Sequence, residues 1–361
     1  MMRKRARESN VDVYFEGNCL VIGISGIVKV GTLDLIIKEL TIERKRQEYT
    51  MTDLILDLSD VYPISPAAAV GLVCLCSALM TNKMKEIASP SNFYLKRPPN
   101  DVLTYLTTLS FFTHMSNKAR LLGCEDLVHS ESEKKQRKKQ RGREKQIPDI
   151  FDNSLDNDAR PIVWPMETIP TKGSSISDQD FENACQHFVN NGADTFDRLF
   201  SSSHFNFDKG DKHNFWSSNV ELYMNIFEHS NSWGLATIHA NPAHGTIACY
   251  HDIGIGIKGS VNFSPKAGKE FEKFETDYDA MKWSLKEGNS SKSGGNGIGL
   301  NIVEDFVLSK NGTIEIRSGQ CLLQKKPGDQ PGEKYWRNKN VPWFPGTQIN
   351  FFVPCMTTKL R

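Results

Sequence analysis

The sequence predicts a two-domain α/β protein, and three observations carry that expectation. A chain of 361 residues has room for two ordinary domains, each able to bury its own core. Short apolar runs alternate with segments of helical periodicity in both halves. Between the halves, Glu133 to Lys145 (EKKQRKKQRGREK) holds eight basic and two acidic residues, ahead of an acid-rich Asp149 to Asp158. Blocks of like charge repel and stay solvated, so this stretch reads as a linker. The expected division is an α/β domain over 1–128, a charged linker over 129–159 and a second α/β domain over 160–361.

Composition narrows the function classes. With 39% apolar and 24% charged residues, the chain has the make-up of a soluble globular protein. A formal net charge of +1 supplies no overall field to gather nucleic acid or a membrane surface. The basic linker could contact nucleic acid, but no aromatic residue is interleaved for base stacking, so that is the weaker expectation. The start, MMRKRARESN, is followed by no apolar segment of signal-peptide type. The longest apolar run, Ala67 to Met80, is too short to span a bilayer. The eight cysteines include no CxxC pair and read as buried thiols of a reducing compartment. A cytoplasmic protein without membrane contact is expected.

In the first domain, Cys19 to Val30 reads as strand, turn and strand, and Leu33 to Arg46 as a helix. Asp53 to Leu58 (DLILDL) reads as a buried strand. Ser65 to Met80 follows as a helix, with Ser65 as N-cap and Pro66 in the first turn. Asn92 to Leu95 is a further strand and Asn100 to Met115 a further helix. The run LILDLSDVYPISPAAAVGLVCL resembles the central strand, loop and helix of STAS domains, the fold of anti-sigma-factor antagonists. The resemblance implies a small STAS-like α/β domain. That family presents a phosphorylatable serine in an Asp-Ser-Ser-Gly-like setting. This chain has Ile64-Ser65-Pro66-Ala67-Ala68 there, with Ser65 near the position.

The second domain carries four signals with chemical content. In Val220 to Ser230 (VELYMNIFEHS), Glu221, Asn225 and His229 fall at successive i+4 steps, forming one polar stripe on a helix. A carboxylate one turn from a carboxamide can activate a nucleophile beside a hard cation. Next, Asp252-Ile253-Gly254-Ile255-Gly256 follows the apolar run Thr246 to Tyr250, so a strand delivers a carboxylate to a tight glycine turn. Third, Gly294-Gly295-Asn296-Gly297-Ile298-Gly299-Leu300 opens a helix that stops near Asn311-Gly312. Its backbone N–H groups can approach phosphate oxygens. No strand precedes this run and no Gly-Lys-Ser/Thr follows it, which excludes a dinucleotide fingerprint and a Walker loop. Fourth, Gly346-Thr347 enters the terminal strand Gln348 to Pro354, beside a neighbouring strand at Gly312 to Arg317.

Alone, each signal has an ordinary explanation: a solvated helix face, a β-turn, a helix start, an apolar strand. Their order from about Ser217 to Pro354 resembles the GHKL superfamily of ATPases and kinases, whose members include histidine kinases, anti-sigma serine kinases and DNA gyrase. The resemblance implies a Bergerat α/β sandwich with helices on one face of a mixed sheet. It implies Glu221 as general base, Asn225 as ligand of the Mg²⁺ bridging the phosphates of ATP, and Asp252 as reader of adenine. Gly254 and Gly256 then shape the base pocket, Gly295, Gly297 and Gly299 contact phosphate, and Thr347 adds an adenine-side contact. His229 matches a histidine found at times one turn after the asparagine in anti-sigma kinases. Ile257 to Gly294 would be the ATP lid, with a helix at Asp279 to Glu287, and Lys292 the candidate for charge stabilisation in phosphoryl transfer.

A STAS-like domain joined to a GHKL domain resembles the partner-switching pair of antagonist and serine kinase. The expected activity is transfer of the γ-phosphate of Mg-ATP to a protein serine or threonine, or to water, in a signalling system. The alternative is an ATP-gated interaction switch without turnover. A protein partner is expected, either a regulatory target or a STAS-type antagonist, with a homodimer as a further arrangement.

Overall fold

A computed structural model describes residues 9–16, 19–46, 53–84, 90–116, 120–122, 162–170, 178–201, 207–241, 245–264, 266–269, 271–289, 299–332 and 336–355. The protein is mixed α/β, with two five-stranded sheets among the described residues. It divides into two compact units, Met1–Asp158 and Ala159–Arg361. The charged segment 129–159 lies outside the described residues. No helix among those described is long and apolar enough to cross a membrane.

Unit 1 holds β1 (Asn10–Glu16), β2 (Cys19–Val28), α1 (Val30–Arg46), β3 (Asp53–Ile64), α2 (Pro66–Met80), β4 (Asn92–Lys96), α3 (Asn100–Thr108), α4 (Phe111–Ser116) and β5 (Arg120–Leu122). The strands lie in sequence order. β1 is antiparallel to β2 and the remaining pairs are parallel. Right-handed crossovers along a sheet that grows in one direction deliver every helix to the same face. The burial of β3 and β4 agrees, since Leu54, Leu56, Leu58, Phe93 and Leu95 are buried while their neighbours in sequence are less so. On that less covered face Lys96 pairs with Asp57 at 2.9 Å.

Helix α2 is apolar all round and buried from Pro66 to Leu79. Gly71 admits α1 closely, since a Cβ there would lie 2.2 Å from Leu33 Cδ1. Ser65 is the N-cap, its Oγ accepting the Ala68 N–H at 3.2 Å. The hydroxyl near the expected phosphorylation position is therefore occupied in holding the helix start. Two sequence expectations are corrected. Cys19 to Val28 is one strand rather than two, carried past Gly23 by pairing with β1 and β3, with register shifts against β3 at Gly23 and at Gly26, whose φ is +78°. The helix expected over Asn100 to Met115 is broken in two at Ser110, whose φ is +60°.

Unit 2 holds β6 (Ile162–Ile169), α5 (Asp178–Ser201), α6 (Lys209–His229), β7 (Gly234–Asn241), β8 (Gly245–Asp252), α7 (Gly256–Asn262), α8 (Asp277–Ser284), α9 (Gly299–Ser309), β9 (Thr313–Lys325) and β10 (Arg337–Pro354). The strand order is β6-β7-β8-β10-β9, antiparallel at every pairing. A mixed sheet is thus corrected to an antiparallel one. The connections explain it: β7 turns directly into β8, β9 turns back into β10, and the pair α5–α6 runs out and back between β6 and β7.

One face of this sheet, with Trp164, Ile238, Tyr250, Ile316, Ile349 and Phe351, packs on Phe188, Phe196, Phe215, Tyr223 and Phe306 of the helices. Phe215 of α6 is at the centre, its ring centroid 5.6 to 5.9 Å from those of Phe196, Phe200, Phe207, Phe306 and Phe351. A capping box starts α6: Asp208 Oδ1 accepts the Asp211 N–H at 2.8 Å, and Asp211 Oδ2 accepts the Asp208 N–H at 3.0 Å. Asp211 is also ion-paired with Lys310, just past the end of α9. At the far end of the contact, Gly299 at the start of α9 lies against Glu221 of α6. The two helices are therefore antiparallel neighbours, joined from Asp211–Lys310 to Glu221–Gly299.

The loop between β9 and β10 is held on α9 by a buried ion pair of Lys325 with Glu304. Lys325 Nζ also donates to the carbonyls of Gln330 and Gly332, each at 2.8 Å. Glu304 accepts from Gly332 N–H at 2.7 Å and Trp336 Nε1 at 3.2 Å. Lys325→Met strands this carboxylate in the interior and is expected to cost about 3–5 kcal/mol. Urea unfolding of the full chain, followed by tryptophan fluorescence, measures that loss.

Candidate functional site

The site begins with the strand that ends in Asp252. Its neighbour Tyr250 is fully buried in the core and donates its hydroxyl to Asn219 Oδ1 of α6 at 2.7 Å, fixing strand to helix. Burial holds that phenol well above its ordinary pKa, so it remains a donor. Asp252 is 3% exposed. Its Oδ1 accepts the Gly254 N–H at 2.7 Å, and its Oδ2 accepts the Thr347 N–H at 3.2 Å. The carboxylate is thereby oriented by two backbone donors, one from its own loop and one from β10.

Glycines make the rest of the approach possible. A Cβ at Gly254 would lie 1.8 Å from the carbonyl oxygen of Ser230, the C-cap of α6, and that oxygen accepts the Ile255 N–H at 2.9 Å. A Cβ at Gly346, whose φ is +79°, would lie 2.2 Å from the Asp252 carbonyl oxygen. One at Gly256, with φ +68°, would lie 2.7 Å from Ser318 Oγ and 3.2 Å from the Gly346 carbonyl oxygen. One at Gly234 would meet Ile226 Cγ2 at 2.7 Å and Asp252 Cβ at 3.2 Å. At Gly299 it would meet Glu221 Oε2 at 2.3 Å. The end of α6, the loop after β8 and the Gly346 bulge of β10 thus meet at van der Waals distance, and the start of α9 meets α6 more than two turns earlier, at Glu221. These are the four segments singled out in the sequence.

Within this meeting point the side chains differ in how they are used. Glu221 and Asn225 are half-buried on α6, and neither makes a hydrogen bond or ion pair among the described residues. Asn225 offers one amide oxygen, which suits a hard cation that completes its shell with phosphate oxygens and water. His229 is engaged instead: its Nδ1 is 3.1 Å from Ser260 Oγ on α7, and burial lowers its pKa. Thr347 contributes its backbone N–H to Asp252. Lys292, Gly295 and Gly297 lie outside the described residues. The helix expected at Asp279 to Glu287 runs from Asp277 to Ser284, capped by Thr276.

Two participants escape sequence reasoning. Ser230 acts through its carbonyl, which carries no residue-type signal. Ser318 stands in an apolar strand with no motif around it. The Gly346-Thr347 pair, expected at the entry of the terminal strand, lies inside β10 at a bulge, because that strand begins at Arg337.

Compared with known proteins, the sequence matches no family model and no curated protein.

Two glycines with the same φ of +79° separate conformational strain from crowding. A Cβ at Gly268 has no neighbour within 4 Å, whereas one at Gly346 meets Asp252. Gly268→Ala is expected to cost about 1–2 kcal/mol from the left-handed backbone alone. Gly346→Ala exceeds it by about 1–3 kcal/mol of overpacking, measured as the difference in unfolding free energy.

A pH effect follows from His251, which is fully buried behind Asp252 with Nε2 2.7 Å from Asn350 Oδ1. Burial lowers its pKa from 6.5 to about 4. The unfolded chain therefore takes up the proton first as pH falls. Stability is complete above about pH 6.5 and is lost progressively down to pH 4, by at most about 3 kcal/mol for this group. Denaturation curves across that range show the slope, and His251→Gln flattens it.

Proposed function

We propose that unit 2 is a GHKL-type nucleotide-binding domain of Bergerat layout. In this reading it binds Mg-ATP and transfers the γ-phosphate to a protein serine or threonine, or to water. The observation that carries the reading is that α6 meets the start of α9 at Glu221 and the loop after β8 at Ser230, that Asp252 is oriented by two backbone donors, and that Glu221 and Asn225 make no hydrogen bond or ion pair among the described residues. Among the described residues no structural bond accounts for a carboxylate and a carboxamide one helical turn apart on the helix that meets the start of α9.

In this reading Asp252 accepts a hydrogen bond from the exocyclic amine of adenine, in a slot whose walls are the Gly254, Gly256 and Gly346 backbones. Gly299 at the start of α9, with Gly295 and Gly297 just before it in sequence, would offer backbone N–H groups to phosphate oxygens. Asn225 supplies an amide oxygen to Mg²⁺, which when bound neutralises charge across the phosphates. Glu221 takes the proton of the attacking hydroxyl or water as the new P–O bond forms and ADP leaves. Lys292 adds positive charge near the transferred group. Unit 1, whose sheet is parallel except for the edge strand β1, is read as the STAS-like partner-binding half of a cytoplasmic regulatory protein.

Calorimetric titration with ATP and Mg²⁺ tests binding. Asp252→Asn is expected to weaken ATP by about tenfold or more, the value of a good charge-assisted hydrogen bond. Labelled γ-phosphate ATP then reports the acceptor. Glu221→Gln is expected to lower turnover about 10²–10⁴-fold while ATP affinity stays within about threefold. Tight binding with no turnover in the unaltered protein turns the reading into that of an ATP-gated switch. Absence of magnesium-dependent binding overturns it.

A further inference from the structure

Ser318 lies in β9 and is 1% exposed, yet its hydroxyl reaches two separate corners of the candidate site. Its Oγ accepts the Ile257 N–H at 2.8 Å and donates to the Gly346 carbonyl at 3.2 Å. The same oxygen fills the space beside Gly256 where a side chain would begin. One hydroxyl, with its single donor and an acceptor lone pair, thus joins the loop after β8 to the Gly346 bulge inside β10.

The sheet register explains why a side chain is needed there. Phe344 pairs with Gly319 and Thr347 with Ser318, so two residues of β10, Pro345 and Gly346, have no partner on β9. A bulge of this kind takes backbone groups out of the ladder and re-aims side chains. The Gly346 carbonyl finds its donor in Ser318 instead of in a backbone N–H. On the next step of β9, Gly319 (φ +58°) lets the chain close on Asp277 of α8, whose Oδ2 accepts the Gln320 N–H at 2.9 Å.

We propose that Ser318 is the positioning residue of the base-binding end of the site. It holds Gly256 and Ile257 at a fixed separation from Gly346, and so sets the width of the slot in front of Asp252. This rests on the ATP-binding reading above. Because Ser318 acts on the glycine corners beside Asp252 and not on α6 or α9, its loss falls on recognition of the purine and leaves the phosphate end untouched.

The test titrates the full chain with Mg-ATP, adenosine and inorganic triphosphate, comparing the unaltered protein with Ser318→Ala and Ser318→Cys. The cysteine variant nearly keeps the volume but has only a weak donor, and serves where alanine does not fold. Loss of two hydrogen bonds is expected to weaken ATP and adenosine by the same factor, about tenfold. Triphosphate affinity and turnover at saturating ATP stay within about twofold, a split that general destabilisation does not produce. Equal adenosine affinity in a folded variant and the unaltered protein overturns the role of Ser318 alone. So does a loss of triphosphate binding as large as that of adenosine. If the unaltered chain binds no adenine compound, the function reading falls and this inference falls with it.

Discussion

Close backbone approach is the constraint on which the second unit depends. At Gly254 and Gly346 the chain passes so near Ser230 and Asp252 that even a methyl group has no space. Contacts of this kind hold the loop after β8 against both α6 and β10 with no side chain between them. Flexibility of the intervening side chains therefore adds no slack, and the position of Asp252 is set by main-chain geometry. The two N–H groups that grip its carboxylate come from the same backbones. A pocket defined this way tolerates changes in its surroundings better than one built from long side chains, but it tolerates no change at the glycines themselves.

The antiparallel pair α6 and α9 supplies the second dimension. Its outer end is fixed by the Asp211–Lys310 ion pair and its middle by Phe215 against Phe306. Its inner end brings a carboxylate to the first turn of α9. A negative group there is favourably placed relative to the helix dipole, as is any anion that takes its place. The buried Lys325–Glu304 pair holds the opposite side of α9, so the helix is restrained from both flanks.

Much of the local structure is legible in the sequence. The apolar run after Ser65-Pro66 forms α2, NFYL forms most of β4, and the Glu221–Asn225–His229 stripe lies on one helix. Those signals are local: caps, periodicity and β-branched runs. What is not legible is set by tertiary partners. Ser110 breaks a helix whose periodicity continues past it, and β2 stays extended because β1 and β3 flank it. β6, β7 and α5 carry no motif, and the sheet's antiparallel order depends on them. In the candidate site the positions of the boxes can be read, because glycine and acidic residue types mark them. Ser318 cannot, because its importance comes from a register break two strands away from Asp252.

The place of β10 in the sheet has a consequence for how the unit is made. This last described strand lies inside the sheet, hydrogen-bonded to β8 on one edge and β9 on the other. A ribosome that has released everything up to residue 336 has exposed a chain whose two halves have no common strand, and whose Asp252 lacks one of its donors. Docking of that strand is a non-local step that closes long loops at once, of the sort that is slow and leaves open edges meanwhile. Until β10 arrives the second sheet is unfinished, and β8 and β9 each lack the strand that pairs with them in the folded unit.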